Sequence, residues 1–297
     1  MAKATSSEEI SALQALRQVT ECLEGRVTSA RAEAEVLLRH VLGVSRSELF
    51  SGDSVPMAEG PRRLLDRLVE RRRRGGEPLQ YITGRQAFRG LELLVGPGVM
   101  IPRPETEMVV EQALSRLAGI SSPRVVDLCT GSGAIALAVA TERPDSVVWA
   151  TEISDEALAW ARRNLERAEA DNVTLLQGDL LGPLPEWFEG SVDLVVANPP
   201  YLSVVEVQVA PPEVRDHEPR EALMAGPTGL ELAARVVTEA CEWLAPGGWL
   251  VMETSPTQAE RLRALMHAHY THVDIHRDLA GMLRIAEGRR PGGPHPH

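Results

Sequence analysis

The chain is short of cysteine. Cys22, Cys129 and Cys241 are three in 297 residues, far apart and odd in number, which excludes a disulfide framework and points to a reducing compartment. No apolar run is long enough to span a bilayer, and Met1-Ala2-Lys3-Ala4-Thr5-Ser6-Ser7 has no apolar signal core. A cytoplasmic location with no membrane partner is therefore expected. Positive charge is also scarce: 31 Lys and Arg stand against 42 Asp and Glu, a net charge of -11. A protein that gripped nucleic acid mainly through phosphates would be basic, so no direct nucleic-acid partner is expected. There is no internal repeat, and a monomer is expected. What is present is an ordinary globular composition, 43% hydrophobic and 25% charged, in a chain long enough for two domains.

Residues 7 to 73 read as helical. Ser7 is positioned to cap a first helix carrying Ile10, Leu13, Leu16, Val19 and Leu23, and Thr28 or Ser29 a second, with Ala32, Val36, Leu37 and Val41 inward and Gly43 at its end. A third runs from Pro61 through Leu64, Leu65 and Leu68 into Arg71-Arg72-Arg73-Arg74. That run reads first as a solvated helix end complementing the dipole, and second as a contact for an acidic partner or RNA. Leu79 to Gly84 and Ala87 to Val95 read as short strands, a hairpin. Ile101-Pro102-Arg103-Pro104-Glu105-Thr106-Glu107 then opens a helix from a stiff loop holding a fixed cation, either a linker or a wall of an active site. From 124 onward strands and helices alternate: strands at 124–128, 146–152, 173–176, 192–197 and 249–253, then 272–276 and 282–287. The fold class is α/β, a mostly parallel sheet with helices on both faces. The expected boundaries are a helical domain at 1–76, a hairpin linker at 77–103, a sheet domain at 104–290 and a disordered tail at 291–297.

Asp127-Leu128-Cys129-Thr130-Gly131-Ser132-Gly133-Ala134 joins the first of these strands to its helix. Gly131 and Gly133 admit a ligand that a Cβ would exclude, and the helix start adds free N–H groups. Glu152 ends the next strand 21 residues after Gly131, where a carboxylate binds ribose hydroxyls. Asp179, after the third strand, is placed to accept from an adenine amino group. Gly131-x-Gly133-x-x-Ala136 also fits a dinucleotide fingerprint. Against a dehydrogenase stand the Asp-x-x-x-Gly-x-Gly order of S-adenosylmethionine sites, Asp179, and the end of the fourth strand.

That strand ends in Asn198-Pro199-Pro200-Tyr201. Two prolines make a stiff turn that presents an amide, backbone carbonyls and one ring at a strand's carboxyl end. The turn reads either as a plain strand terminator or as a clamp for a planar amide or amine. With a methyl donor beside it, the clamp gives methyl transfer to a planar nitrogen: Asn198 Oδ1 and the Pro199 carbonyl accept the N–H bonds, and Tyr201 stacks on the plane.

The whole set resembles the protein-glutamine N5-methyltransferases of peptide chain release factors, the PrmC/HemK-like family. The resemblance rests on Pro78-Leu79-Gln80-Tyr81-Ile82-x-Gly84, Phe88-x-Gly90-Leu91, the Ile101 to Glu107 loop, the Gly131/Gly133 loop and Asn198 to Tyr201. It continues in Glu218-Pro219-x-x-Ala222-Leu223, Gly229-Leu230-Glu231 and Asp278-Leu279-Ala280-Gly281-x-x-Arg284. It implies a class I S-adenosylmethionine-dependent methyltransferase: a Rossmann-like seven-stranded sheet with a small helical N-terminal substrate-recognition domain and a linking hairpin. The implied partners are release factors, whose Gly-Gly-Gln glutamine is methylated while S-adenosyl-L-homocysteine is released. By the same resemblance Asn198, Pro199, Pro200 and Tyr201 bind the glutamine, with Asn198, Pro199 and Tyr201 catalytic. Asp127, Cys129, Thr130, Gly131, Ser132, Gly133, Glu152, Asp179, Leu180 and Asn198 form the cofactor site, and Arg103 and Glu105 lie at the site mouth.

The chain departs from the family at two places. Cys129 stands where the family has glycine, which requires negative φ or strain. Glu253-Thr254-Ser255-Pro256 replaces the more usual Glu-Ile-Gly, at a strand end expected to lie away from the chemistry. His267, His269, His272 and His276 lack the spacing and partners of a zinc site, so no metal is expected. Two rivals remain: a nucleic-acid methyltransferase acting on adenine or guanine, which would want a basic cleft, and a cofactor-binding interaction protein without catalysis.

Overall fold

A computed structural model describes residues 10–51 and 56–292. The chain forms two compact units, Met1–Gly84 and Arg85–His297.

The first unit is built on α1 (Ala12–Leu23), α2 (Ala30–Leu42) and α3 (Glu59–Gly75). Ser11 caps α1 in a capping box with Gln14, while Ile10 pairs with Met57 in a two-residue ladder. The expected cap at Ser7 lies outside the described residues. Leu16, Leu23, Leu37, Leu38 and Leu65 are fully buried at the centre. The inward face of α2 is Ala34, Leu37 and Leu38. Ala32 and Val36, expected inside, are exposed, because the buried stripe is one position out of phase with them.

The four arginines ending α3 are not a free patch. Arg72 is buried and holds Glu33 through two hydrogen bonds of 2.6 and 2.8 Å. Arg71 pairs with Glu77, and Arg73 and Arg74 both pair with Glu70. Leu79–Thr83 is a short helix, not the strand its β-branched and aromatic content suggests. Gly84 closes it in the left-handed conformation at φ 72°.

The second unit opens with the expected hairpin, β1 (Arg85–Phe88) and β2 (Leu91–Leu94). Its two-residue turn places Arg89 and Gly90 at φ 44° and 76°. Next come α4 (Pro104–Arg116), β3 (Arg124–Leu128), α5 (Ala134–Glu142), β4 (Val147–Glu152), α6 (Asp155–Ala168), β5 (Val173–Gln177) and β6 (Val192–Ala197). They are followed by α7 (Glu231–Trp243), β7 (Leu244–Glu253), α8 (Ala259–Met266), β8 (Thr271–Arg277) and β9 (Leu283–Arg289).

Seven strands form one sheet in the order β8-β9-β7-β6-β3-β4-β5. Six strands share one direction and β9 alone runs opposite to them. The central strands are buried on both faces, which is why they read as unbroken apolar runs. Val126, Leu128, Val195 and Ala197 enter the core on one face; Val125, Leu194 and Val196 enter it on the other. Helix α5 is buried along Ala134–Ala140 and is correspondingly apolar all round. Strand β7 begins at Leu244 rather than 249, with Gly247-Gly248 inside it at a register shift against β6. Strand β9 runs to Arg289, and of the tail expected at 291–297 residues 293–297 lie outside the described residues. The segment 202–226, without periodicity in the sequence, holds two short helices, Val204–Val209 and Pro212–Arg215, between paired two- and three-residue strands.

Candidate active site

Strands β3 and β6 are neighbours, with Leu128 beside Ala197, and the chain leaves them on opposite sides of the sheet. Their carboxyl ends form the crevice where an open α/β sheet takes ligands. The loop after β3 and the turn after β6 therefore meet there, as the sequence pattern requires.

The β3 loop is held from behind. Asp127 is completely buried; its Oδ2 accepts from the Thr130 hydroxyl at 2.5 Å and from the Ala136 N–H at 3.1 Å. Its Oδ1 has no hydrogen-bond partner. Burial pushes its pKa up to about 7. Asp127 does not reach the cavity, so it shapes the loop. Cys129 adopts φ 57°, the left-handed conformation, and not the negative φ that would avoid strain; a side chain there costs roughly 1–2 kcal/mol. Burial pushes its thiol pKa up, so the sulfur stays protonated. Gly131 is also left-handed, at φ 57°.

Glu152 ends β4 with its carboxylate in the cavity wall. Oε2 accepts from the Gly131 N–H at 2.8 Å and Oε1 from the Ser154 N–H at 3.0 Å. Each oxygen retains a lone pair for a hydroxyl. Beside it Ile153 keeps 66% of its surface exposed, an apolar wall for a flat ring. Thr130, Ser132 and Asn198 line the same cavity. A carboxylate for a diol, an apolar face for a base and backbone close at hand fit S-adenosylmethionine. Asp179 and Leu180 are placed differently. The Asp179 carboxylate is held by Arg235 through bonds of 3.2 and 3.0 Å, and Leu180 is buried in the core; neither side chain lines the cavity. Gly133, at φ 83°, caps the start of α5 behind the wall.

A second cavity lies against the first. Arg103, Pro199 and Tyr201 line it, and Met100, Asn198, Pro200 and Ala222 belong to both. Arg103 is fixed by Glu218 at 2.5 Å, and Glu218 also accepts from the Ile101 N–H at 3.3 Å. Glu105 lines neither cavity.

Beneath the turn lies a network that the sequence reading missed. Asn198 Nδ2 donates to the Thr106 hydroxyl at 3.1 Å, and Thr106 donates to Glu253 Oε2 at 2.6 Å. The Tyr201 hydroxyl donates to Glu253 Oε1 at 3.1 Å. Glu253 is 1% exposed, and burial raises its pKa. Its strand end was expected to lie away from the chemistry; instead it sits directly under Asn198 and Tyr201, because β7 is the parallel neighbour of β6 and pairs Met252 with Ala197. The available signal was a lone carboxylate closing the apolar run Trp249 to Met252, the same pattern that marked Glu152. Gln258 adds a brace: its Nε2 donates to the Tyr201 carbonyl at 2.7 Å.

The chain matches known proteins over most of its length. A model described as the PrmC N-terminal domain matches residues 14–84, and one described as the methyltransferase small domain matches 106–211. A release factor glutamine methyltransferase of Streptomyces coelicolor is 44% identical over 283 residues, covering 94% of this chain and 98% of that protein. The chain belongs to the release factor glutamine methyltransferase family. A Coxiella burnetii protein of the same name is 38% identical, over 95% of this chain and 99% of its own length. In three dimensions a methyltransferase from Pyrococcus furiosus matches with a TM-score of 0.50 at 20% identity, over 70% of this chain and 92% of that one; at that identity the likeness is one of fold. As a family member the chain is a methyltransferase of the S-adenosylmethionine-dependent class. Among the described residues no helix is long and apolar enough to cross a membrane.

Proposed function

We propose that the chain methylates the side-chain nitrogen of the glutamine in the Gly-Gly-Gln motif of peptide chain release factors, using S-adenosylmethionine bound in the first cavity. The observation that carries this reading is the wall shared by the two cavities, with Asn198 in it. When bound, the cofactor supplies a methyl group already activated on a sulfonium. Everything else falls to alignment.

Glu152 takes the ribose hydroxyls, and Cys129, Thr130, Gly131 and Ser132 form the rim of the pocket. Asp179 meets the adenine amino group only by loosening its pair with Arg235. In the second cavity Asn198 Oδ1 and the Pro199 carbonyl accept the two N–H bonds of the glutamine amide. An amide nitrogen is a weak nucleophile because its lone pair is delocalised, and two acceptors support the positive charge it gains in the transition state. The nitrogen takes the methyl as the carbon–sulfur bond breaks with its electrons left on sulfur, and it then gives one proton to solvent. Tyr201 and Pro200 form the apolar side of the slot, and Arg103 stands at its edge as a fixed cation. The helical unit reads a part of the release factor outside the tripeptide. The protein works in the cytoplasm, where release factors are.

The test is direct. Purified protein with labelled S-adenosylmethionine is expected to label a release factor, and changing the Gly-Gly-Gln glutamine should abolish labelling. Labelling of RNA or DNA with none of the factor would establish the nucleobase reading instead.

A further inference from the structure

We propose that Glu253 is a positioning residue that sets which way round the Asn198 amide is held. This rests on the reading that Asn198 Oδ1 receives the substrate nitrogen. The Thr106 hydroxyl has one proton and touches two groups, Glu253 Oε2 at 2.6 Å and Asn198 at 3.1 Å. Burial raises the Glu253 pKa, but the hydroxyls of Thr106 and Tyr201 and the charge of Arg284 favour its ionised form; a carboxylate only accepts, so the proton of the shorter bond lies on the Glu253 side. Thr106 must then accept from Asn198, and only Nδ2 can donate. The amide is thereby fixed with its nitrogen inward and Oδ1 toward the cavities.

The opposite orientation would present N–H groups to the N–H groups of an incoming carboxamide. The carboxylate thus excludes, from two hydrogen bonds away, the one arrangement of Asn198 that repels the substrate. The other oxygen of Glu253 takes the Tyr201 hydroxyl at 3.1 Å, so one buried acid holds both ends of the Asn-Pro-Pro-Tyr turn. Thr106 lies in the first turn of α4, within the Ile-Pro-Arg-Pro-Glu-Thr-Glu stretch and 147 residues before Glu253. That stretch therefore supplies the relay, besides carrying Arg103.

The experiment is an epistasis measurement on the full-length protein with a release factor substrate. Thr106→Val removes the relay at nearly constant volume, and Thr106→Ser keeps the hydroxyl. Thr106→Val should lower kcat by roughly 10²-fold, the usual size for a displaced transition-state acceptor. KM for the release factor and affinity for S-adenosylhomocysteine should stay within about threefold, since Glu152 and the rest of the pocket remain intact. Thr106→Ser should restore most of kcat. Glu253→Gln should lower kcat alone, yet add little in the Asn198→Ala background, because both act through one amide.

Multiplying effects of Glu253→Gln and Asn198→Ala would overturn the proposal, as would full activity in Thr106→Val. If Thr106→Val does not fold, the Glu253→Gln and Asn198→Ala pair decides alone. A wild-type kcat for Asn198→Ala by itself would instead refute the role given to Asn198, which separates the two failures.

Discussion

Gly229 lines neither of the two cavities, yet replacing it should damage the turn. Gly229 sits at φ 79°, and a Cβ built there falls 2.3 Å from Gln258 Nε2, 2.5 Å from the Tyr201 carbonyl oxygen and 3.1 Å from the Ser203 nitrogen. The first neighbour is the end of a flexible side chain and can withdraw. The other two are backbone and cannot move without carrying Tyr201 along. For Gly229→Ala the left-handed backbone costs roughly 1–2 kcal/mol. Losing the bond from Gln258 to the Tyr201 carbonyl costs about 1–3 kcal/mol if that oxygen is left unpaired. Reduced freedom in the unfolded chain returns about 0.4–1 kcal/mol. A net loss of roughly 1–5 kcal/mol is expected by urea unfolding.

A displacement of Tyr201 by about 1 Å should lower kcat on the order of 10²-fold, while the affinity for S-adenosylhomocysteine by calorimetry holds, because Glu152 and the Gly131 loop make no contact with Gly229. Gln258→Ala, which removes the brace without adding a Cβ, should cost less than Gly229→Ala. Near-normal turnover in a folded Gly229→Ala protein would refute this reasoning, and so would a loss of cofactor affinity as large as the loss of kcat.

Asn198→Ala should reduce kcat by roughly 10²–10³-fold with cofactor affinity little changed, measured by single-turnover labelling and equilibrium binding. Asp127 is a pH test. Its folded pKa of about 7 lies above the ordinary carboxylate value, so between about 4 and 7 the unfolded chain holds fewer protons than the folded one and stability falls as pH rises. Subtracting the melting profile of Asp127→Asn from that of the wild type should isolate that fall, and a flat difference across the window would contradict the assignment. In the helical unit, Arg72→Met should cost about 3 kcal/mol by stranding the Glu33 carboxylate, and adding Glu33→Leu should recover most of the loss; equal losses for single and double variants would refute it.

The sheet was legible because its strands are buried on both faces, which writes them as Val-rich runs with few alternatives. The cofactor loop and Glu152 followed from placing glycines and a carboxylate at successive strand ends. Other parts were hidden for specific reasons. Leu79 to Thr83 has strand-like side chains, but Pro78 starts and Gly84 stops a single helical turn there. The order in 202–226 comes from short pairings such as Met224 with Leu202, which leave no period. The pairing of Asp179 with Arg235, 56 residues on, has no local signal in the sequence. Glu253 was misplaced because its role depends on β7 lying beside β6, a matter of strand order rather than of local pattern.

The partition between the two cavities is one residue thick at Asn198 and Pro200. A single small molecule can therefore reach across it. A nucleoside carrying a short spacer and a primary carboxamide would dock its second half at a millimolar effective concentration once the first is seated. Discrimination among enzymes with similar nucleoside pockets would come entirely from the carboxamide, which only a turn wired with its oxygen outward can accept.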